Sequence, residues 1–257
     1  MVTNVKNINI DKLREGVFFA VRGGAIRSAT AIGVLKALEE ENIPIKGMCG
    51  ESGGSIVTAL YAYGYNADDI RRIFIEYCDP ICKAAKVYGG RGAIVVEELV
   101  NKVTESTLMK DLPRDCWINA CQGSLLKPEL YLFSNKDTPN ETLGFACSAS
   151  SGLPLFYGNT YKTINGKKTA LFDGGLLYNP YIPEGVEYPI IYSSFRNTIN
   201  YQKAFPFLQK PVDAVDSIAD VVINAPVGGF IVTGSQDDIR GLIDVGYQTA
   251  QKVLSKK

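Results

Sequence analysis

The run Gly47-Met48-Cys49-Gly50-Glu51-Ser52-Gly53-Gly54-Ser55-Ile56-Val57-Thr58-Ala59-Leu60 leaves the backbone few choices. A short β-leaning segment ends in G-x-S-x-G and a helical segment begins at once, so the stretch reads as strand, sharp turn and helix, with Ser52 at the tip. A serine in that position is held clear of the backbone. The helix start behind it offers N–H groups without intrahelical partners and the positive end of the helix dipole, both suited to a developing negative charge. Gly50, Gly53 and Gly54 lack a Cβ, which permits the turn and lets the helix pack close to the neighbouring strand. Taken alone, the pentapeptide also fits an ordinary glycine-rich turn between a strand and a helix.

An absence narrows the chemistry. The 257-residue chain contains no histidine, so Ser-His-Asp triads, Cys-His pairs and histidine metal sites are excluded. If Ser52 is a nucleophile, another group must take its proton. A carboxylate is the natural candidate, and Asp173 stands at the end of the apolar run Leu171-Phe172, ahead of Gly174-Gly175. An aspartate is ionised at neutral pH but a weak base, which calls for a dry site. Most Asp-Gly pairs are simply turns.

The length fits one α/β domain with a substantial core, taken here as residues 1–257. With 27 basic and 27 acidic residues and no basic run beyond Lys256-Lys257, the chain does not read as a nucleic-acid binder. Cys49, Cys78, Cys82, Cys116, Cys121 and Cys147 show neither C-x-x-C nor zinc-like spacing, and they read as reduced, largely buried thiols. Met1 to Arg14 has no apolar signal core and no stretch reaches the length of a membrane span. A cytoplasmic chain is therefore expected, with secretion by a route that uses no such signal left open.

Taken in order, Glu15 to Val21 is the continuous apolar run of a strand buried on both faces. It leads through Arg22-Gly23-Gly24-Ala25-Ile26-Arg27-Ser28 into a helix over Ala29 to Glu41. The glycine loop lacks both nucleotide-binding signatures, G-x-G-x-x-G and G-x-x-x-x-G-K-[ST]. Its small residues leave bare amides at a helix start, which an oxyanion hole requires. Asn66 is expected to cap a helix running to about Tyr77, and Ala93 to Val103 forms another. Trp117 to Cys121 and Leu130 to Phe133 read as strands, and Asn140 as the cap of a helix over Thr142 to Ser148. Ala149 to Tyr157, including Pro154, reads as a loop or as the wall of an acyl pocket. Asn165-Gly166 signals a type I′ hairpin whose second strand delivers Asp173. Tyr188 to Ser193 and Gly229 to Thr233 read as strands, Val215 to Ile223 as a helix, and Asp237 to Leu254 as a closing helix; Asn197 to Lys210 gives no clear pattern.

Four segments now stand in one order: Gly23 to Ser28 followed by Ile32-Gly33-Val34-Leu35; Gly50-Glu51-Ser52-Gly53-Gly54; Ser150 to Tyr157; and Asp173-Gly174-Gly175 with Asn179-Pro180. Together they resemble the patatin-like phospholipase family, over about Gly16 to Pro180 and again in the tail from Leu242. The resemblance implies a three-layer α/β/α sandwich with a mostly parallel central sheet, and hydrolysis of acyl esters in lipids of phospholipase A or lysophospholipase type. It assigns Ser52 as nucleophile and Asp173 as base, the amides of Gly23, Gly24 and Ala25 as oxyanion hole, and Arg27, Gly53 and Pro154 as substrate contacts. No metal or other cofactor is implied. The expected partner is a phospholipid or other acyl ester met at a transient membrane or micelle contact, although no amphipathic anchor is legible. Ala25 and Ser28 stand where the family commonly has glycine. A non-lipid serine esterase or acyltransferase would use the same dyad, and a silent binding protein could keep the same fold.

Overall fold

β1 (Val17–Val21) and β2 (Ile45–Glu51) lie side by side and parallel at the centre of an eight-stranded sheet. The computed structural model describes residues 10–85, 90–154, 156–176, 179–195, 214–227 and 233–255. The remaining strands are β3 (Asp115–Ser124), β4 (Lys127–Ser134), β5 (Thr160–Ile164), β6 (Lys167–Asp173), β7 (Ile190–Phe195) and β8 (Val221–Ala225). From β3 through β2, β1 and β7 to β8, neighbours run parallel, whereas β4, β5 and β6 form an antiparallel flank. This is the mostly parallel sheet expected from the apolar strand runs.

The helices are α1 (Ile10–Glu15), α2 (Thr30–Glu40), α3 (Gly53–Tyr63), α4 (Ala67–Ala84), α5 (Gly92–Val103), α6 (Leu143–Ser151), α7 (Ala214–Ile218) and α8 (Gln236–Leu254). Side chains alternate across β1. Val17, Phe19 and Val21 join the core under α2, α3, α4 and α8, while Phe18 and Ala20 face the opposite side with Cys49, Tyr192, Val215 and Ala219. A second core, around Ile118, Phe133 and Leu171, lies beneath α3, α5 and α6. Helices thus cover both faces of the sheet, with α7 on the second, and the α/β/α layering holds.

One detail of the topology positions the site. β3 has two edges. Along one, Trp117 to Ser124 pairs with β4. Along the other, Asp115 to Asn119 pairs parallel with β2, and Ala120 to Gln122 pairs antiparallel with β6. β2 and β6 therefore share an edge and run toward each other along it. Glu51, the last residue of β2, stands opposite Asn119, and Asp173, the last of β6, opposite Ala120. Two strands converging head to head bring their following and final residues, Ser52 and Asp173, to one point.

Several local expectations are corrected. Helix is confined to Ala214–Ile218, and Val221-Val222-Ile223 are β8: buried, β-branched and paired with β7. Asp220 makes the break, its N–H donating to the Ile190 carbonyl while its carboxylate accepts from the Ile190 N–H. α4 is capped by Asn66, whose side chain accepts from the Asp69 N–H, but it runs on through Pro80 to Ala84. Ile81 and Cys82 continue its apolar stripe. The cap of α6 is Thr142 rather than Asn140. The hairpin turn at Asn165 and Gly166 has φ of 50° and 76°, the left-handed pair a type I′ turn needs. Asn197 to Lys210 and most of the Gly229 to Thr233 segment lie outside the described residues. Among the described residues no helix is long and apolar enough to cross a membrane.

Candidate active site

Ser52 carries φ 52° and ψ −131°, a strained conformation for a residue with a Cβ, of the kind that costs about 1–3 kcal/mol and is held only by its surroundings. The surroundings are specific. Its N–H donates to Ser150 Oγ at 2.8 Å, and the Ser150 hydroxyl donates to the Asn119 carbonyl at 2.7 Å. Its carbonyl accepts from the Ser55 N–H and the Ser55 hydroxyl. The turn is thus tied to α6, β3 and the first turn of α3. Gly53 begins α3 against the Ala25 carbonyl and Ser28 hydroxyl, too close for a side chain.

The hydroxyl so presented donates to Asp173 Oδ2 at 2.7 Å. The other carboxylate oxygen, Oδ1, accepts the Gly175 N–H at 2.8 Å. Asp173 is buried, and this pair of bonds fixes the carboxylate plane with one oxygen on the serine. The arrangement can move a proton from Ser52 to Asp173 as Ser52 Oγ attacks a carbonyl.

The glycine loop closes the site from β1. Ala25 has φ 52°, a conformation favouring glycine, so the alanine holds the backbone in the form that the family's third glycine would take. A short 3-10 turn follows over Ala25–Ala29. Gly24 and Ala25 are placed with their amides at its start, and among the described residues these amides meet no acceptor. The Gly23 amide is different: it donates to Glu51 Oε1 at 2.9 Å. The sequence reading grouped Gly23 with the oxyanion donors, but its N–H is already engaged, which leaves Gly24 and Ala25. Glu51, given no role from sequence, is 2% exposed and links the loop after β1 to the turn after β2.

Arg27 is buried rather than solvated. Its guanidinium lies 4.5 Å from the Phe195 ring centroid and its Nε donates to the Gly24 carbonyl. Arg22 lies over the same ring at 5.5 Å and donates to Ser194 Oγ. Both arginines line the cavity that opens at Ser52.

From Ser52 and Asp173 this cavity runs between Ile56 and Leu60 of α3, Phe74 and Tyr77 of α4, and Val96 and Val100 of α5. Between those three helices its lining carries no charged side chain. Burial, followed by the neighbouring Cys82, pushes the Cys78 thiol up to about 12. Burial, with smaller contributions from Cys82 and Asp173, raises the Tyr157 phenol well above its ordinary value. Leu153 and Tyr157 line the cavity from the segment after α6, whereas Pro154 is half-buried outside that lining. The structure therefore brings together Ser52, Asp173, Gly23, Gly24, Ala25, Arg27 and Gly53, and leaves Pro154 aside. Among the described residues no cluster of three or more Cys, Asp and Glu side chains is arranged to hold a metal ion.

Ser150, Asn119 and Glu51 were not legible as site residues. The one signal available was polarity out of place: an asparagine inside the apolar strand Trp117 to Cys121, and a glutamate at the end of a buried one.

Comparison with known proteins bears on the family and the fold. The lysophospholipase NTE1 of Kluyveromyces lactis is 32% identical over 125 residues, covering 45% of this chain and 8% of that protein. The cUMP-AMP-activated phospholipase of Escherichia coli is 24% identical over 195 residues, 70% of this chain and 59% of that protein. The chain thus spans less than two thirds of either relative. Among solved structures, VipD from Legionella pneumophila superposes with a TM-score of 0.60 at 13% identity over 93% of this chain and 67% of that one. Human GIVD cytosolic phospholipase A2 gives 0.57 at 10% identity over 97% and 61%. These likenesses speak for the fold. The model of the patatin-like phospholipase family matches residues 19–184, from β1 past Asp173 and Asn179-Pro180, and the chain belongs to that family.

Proposed function

We propose that this chain is a single-domain lipid acyl hydrolase, cytoplasmic, that cleaves carboxylic esters of phospholipids or lysophospholipids through Ser52, Asp173 and an acyl-enzyme. The observation that carries the reading is the 2.7 Å hydrogen bond from Ser52 Oγ to Asp173 Oδ2 at the head of an apolar cavity. Ser52 Oγ attacks the ester carbonyl and Asp173 takes its proton. The amides of Gly24 and Ala25, with the start of α3, stabilise the oxyanion. Asp173 returns the proton to the departing alcohol, and water then attacks the acyl-enzyme by reverse use of the same pair. The acyl chain lies between α3, α4 and α5, where the lining is apolar and uncharged. Arg27 braces the loop through Gly24 and faces the same cavity. The lysophospholipase and phospholipase among the relatives support a lipid ester over a small soluble one.

The test is labelling by a fluorophosphonate probe, followed by fatty-acid release from a panel of phospholipids and lysophospholipids. Ser52→Ala should lose both. Asp173→Asn, which keeps shape but cannot accept the proton, should fold normally and lose about 10²–10⁴ in turnover. A folded wild-type protein that neither takes the probe nor releases fatty acid refutes the reading.

A further inference from the structure

Two hairpins extend the sheet beyond the level of Ser52 and Asp173. Asp173 stands opposite Ala120, yet β3 continues to Ser124 and turns through Leu125-Leu126 into β4. Beside it, β6 runs back from Asp173 through Leu171 opposite Gln122 to the Asn165-Gly166 turn and β5. Both turns therefore project from the end of the sheet at which β1 and β2 deliver the catalytic loop and Ser52.

Their turn chemistry differs. Asn165-Gly166 is the dipeptide a tight hairpin asks for. Leu125-Leu126 is not that dipeptide: with Ser124 paired to Lys127 the two leucines are the loop, and neither takes the positive φ seen at Asn165 and Gly166. Neither leucine is needed in a core. Leu126 is 84% exposed and Leu125 42% exposed, and Tyr161 on the adjoining β5 is 53% exposed. Scattered exposed leucines need no explanation, but these two form an apolar tip, and an exposed tyrosine stands on the second hairpin. Exposed cations follow both turns. Lys127 follows the leucines, Lys167 and Lys168 follow the neighbouring turn, and the Lys168 ammonium lies 4.8 Å from the Tyr161 ring centroid. The exposed acid beside them is Glu129.

We propose that the paired hairpin tips are a lipid-docking surface, with Leu125 and Leu126 inserting among acyl chains and Lys127, Lys167 and Lys168 meeting anionic headgroups. This rests on the function proposed above and gives it the anchor that the linear sequence did not reveal. Apolar insertion supplies affinity for any bilayer, and the lysines add a salt-sensitive preference for anionic ones. The tyrosine suits the interface, being apolar in body and polar at the tip. Seated in this way, the sheet directs its catalytic end toward the membrane.

The test uses flotation with vesicles of phosphatidylcholine alone and of phosphatidylcholine with phosphatidylglycerol, in a Ser52→Ala background so that the lipid is not consumed. The parent should bind both and prefer the anionic vesicles at low salt. Leu125→Ser/Leu126→Ser, polar at both positions and checked for an unchanged unfolding midpoint, should weaken binding to both at least tenfold. Lys127→Gln/Lys167→Gln/Lys168→Gln should remove the anionic preference alone. With Ser52 restored, both sets should hydrolyse a soluble short-chain ester as the wild type does. Unchanged vesicle binding by the leucine variant, or no binding by the parent, overturns the docking surface. Hydrolysis of the soluble ester by the wild type reports separately on the proposed activity, so the two can fail independently.

Discussion

Glu51→Ala isolates the link between the glycine loop after β1 and the Ser52 turn after β2. Glu51 is 2% exposed and its carboxylate accepts the Gly23 N–H at 2.9 Å, so truncation leaves a half-buried donor without its acceptor. That omission costs about 1–3 kcal/mol. The cost falls on the segment whose next two amides are the proposed oxyanion donors. If all of it is felt as lost transition-state stabilisation, kcat/KM drops by about fivefold to a hundredfold, at 1.36 kcal/mol per tenfold. Glu51→Gln keeps an oxygen for Gly23 and should stay within about threefold of wild type, since a neutral acceptor replaces a charged one. The assay is kcat/KM on a soluble ester, paired with denaturant unfolding of each variant to separate loop geometry from global stability. An alanine variant equal to wild type in both measurements refutes the argument. A folded glutamine variant as impaired as the alanine one would assign the effect to the charge instead of the hydrogen bond.

Packing and titration supply two more tests. A methyl group at Gly33 in α2 would coincide with the Ile243 carbonyl oxygen and crowd the Tyr247 N–H of α8. Those atoms are backbone and cannot swing away, so Gly33→Ala should destabilise by about 1–3 kcal/mol despite the better helix propensity of alanine. Gly241→Ala on α8, where a methyl meets nothing, should instead stabilise by about 0.5–1 kcal/mol, and equal unfolding midpoints for the two would refute the packing account. Burial pushes the Cys147 thiol from 9.0 up to about 12, so above the lower value the unfolded chain sheds a proton that the folded chain keeps. The folded state then binds more protons, and stability falls as pH rises, by about 1.4 kcal/mol per pH unit for this thiol. Urea unfolding of Cys147→Ala on the alkaline side should show that much less slope than wild type; an identical slope overturns the attribution.

What could be read from the linear chain is what neighbouring residues decide. The Ser52 elbow needs a strand, a glycine turn and a helix within fourteen residues, and all the instructions lie in that stretch. The Asn165-Gly166 turn likewise sets the register that delivers Asp173. Val221 to Ile223 was lost to a helical reading because a short apolar run carries no period long enough to separate strand from helix, and its partner β7 lies some thirty residues back. The roles of Ser150 and Glu51 were illegible for a related reason: each accepts from an amide, of Ser52 or of Gly23, at a distance in sequence that no local pattern encodes.

The site itself comes from a long-range coincidence of this kind. Ser52 and Asp173 are 121 positions apart, yet they meet because β2 and β6 use up one edge of β3 from opposite ends. The boundary between them falls between Asn119 and Ala120, where the partner strand passes from β2 to β6. Asn119 occupies that boundary, holding the serine turn through Ser150 with its carbonyl and the segment after Asp173 through the Tyr181 N–H with its side chain. A glycine at 174 is required at the same place, because a side chain there would strike the Asn119 carbonyl. Register along β3 thus fixes the distance between Ser52 and Asp173. A slip of one residue would turn alternate side chains to the other face of the sheet and separate the pair. The antiparallel flank of β4, β5 and β6 therefore holds the Asp173 carboxylate against the Ser52 hydroxyl, in addition to extending the core.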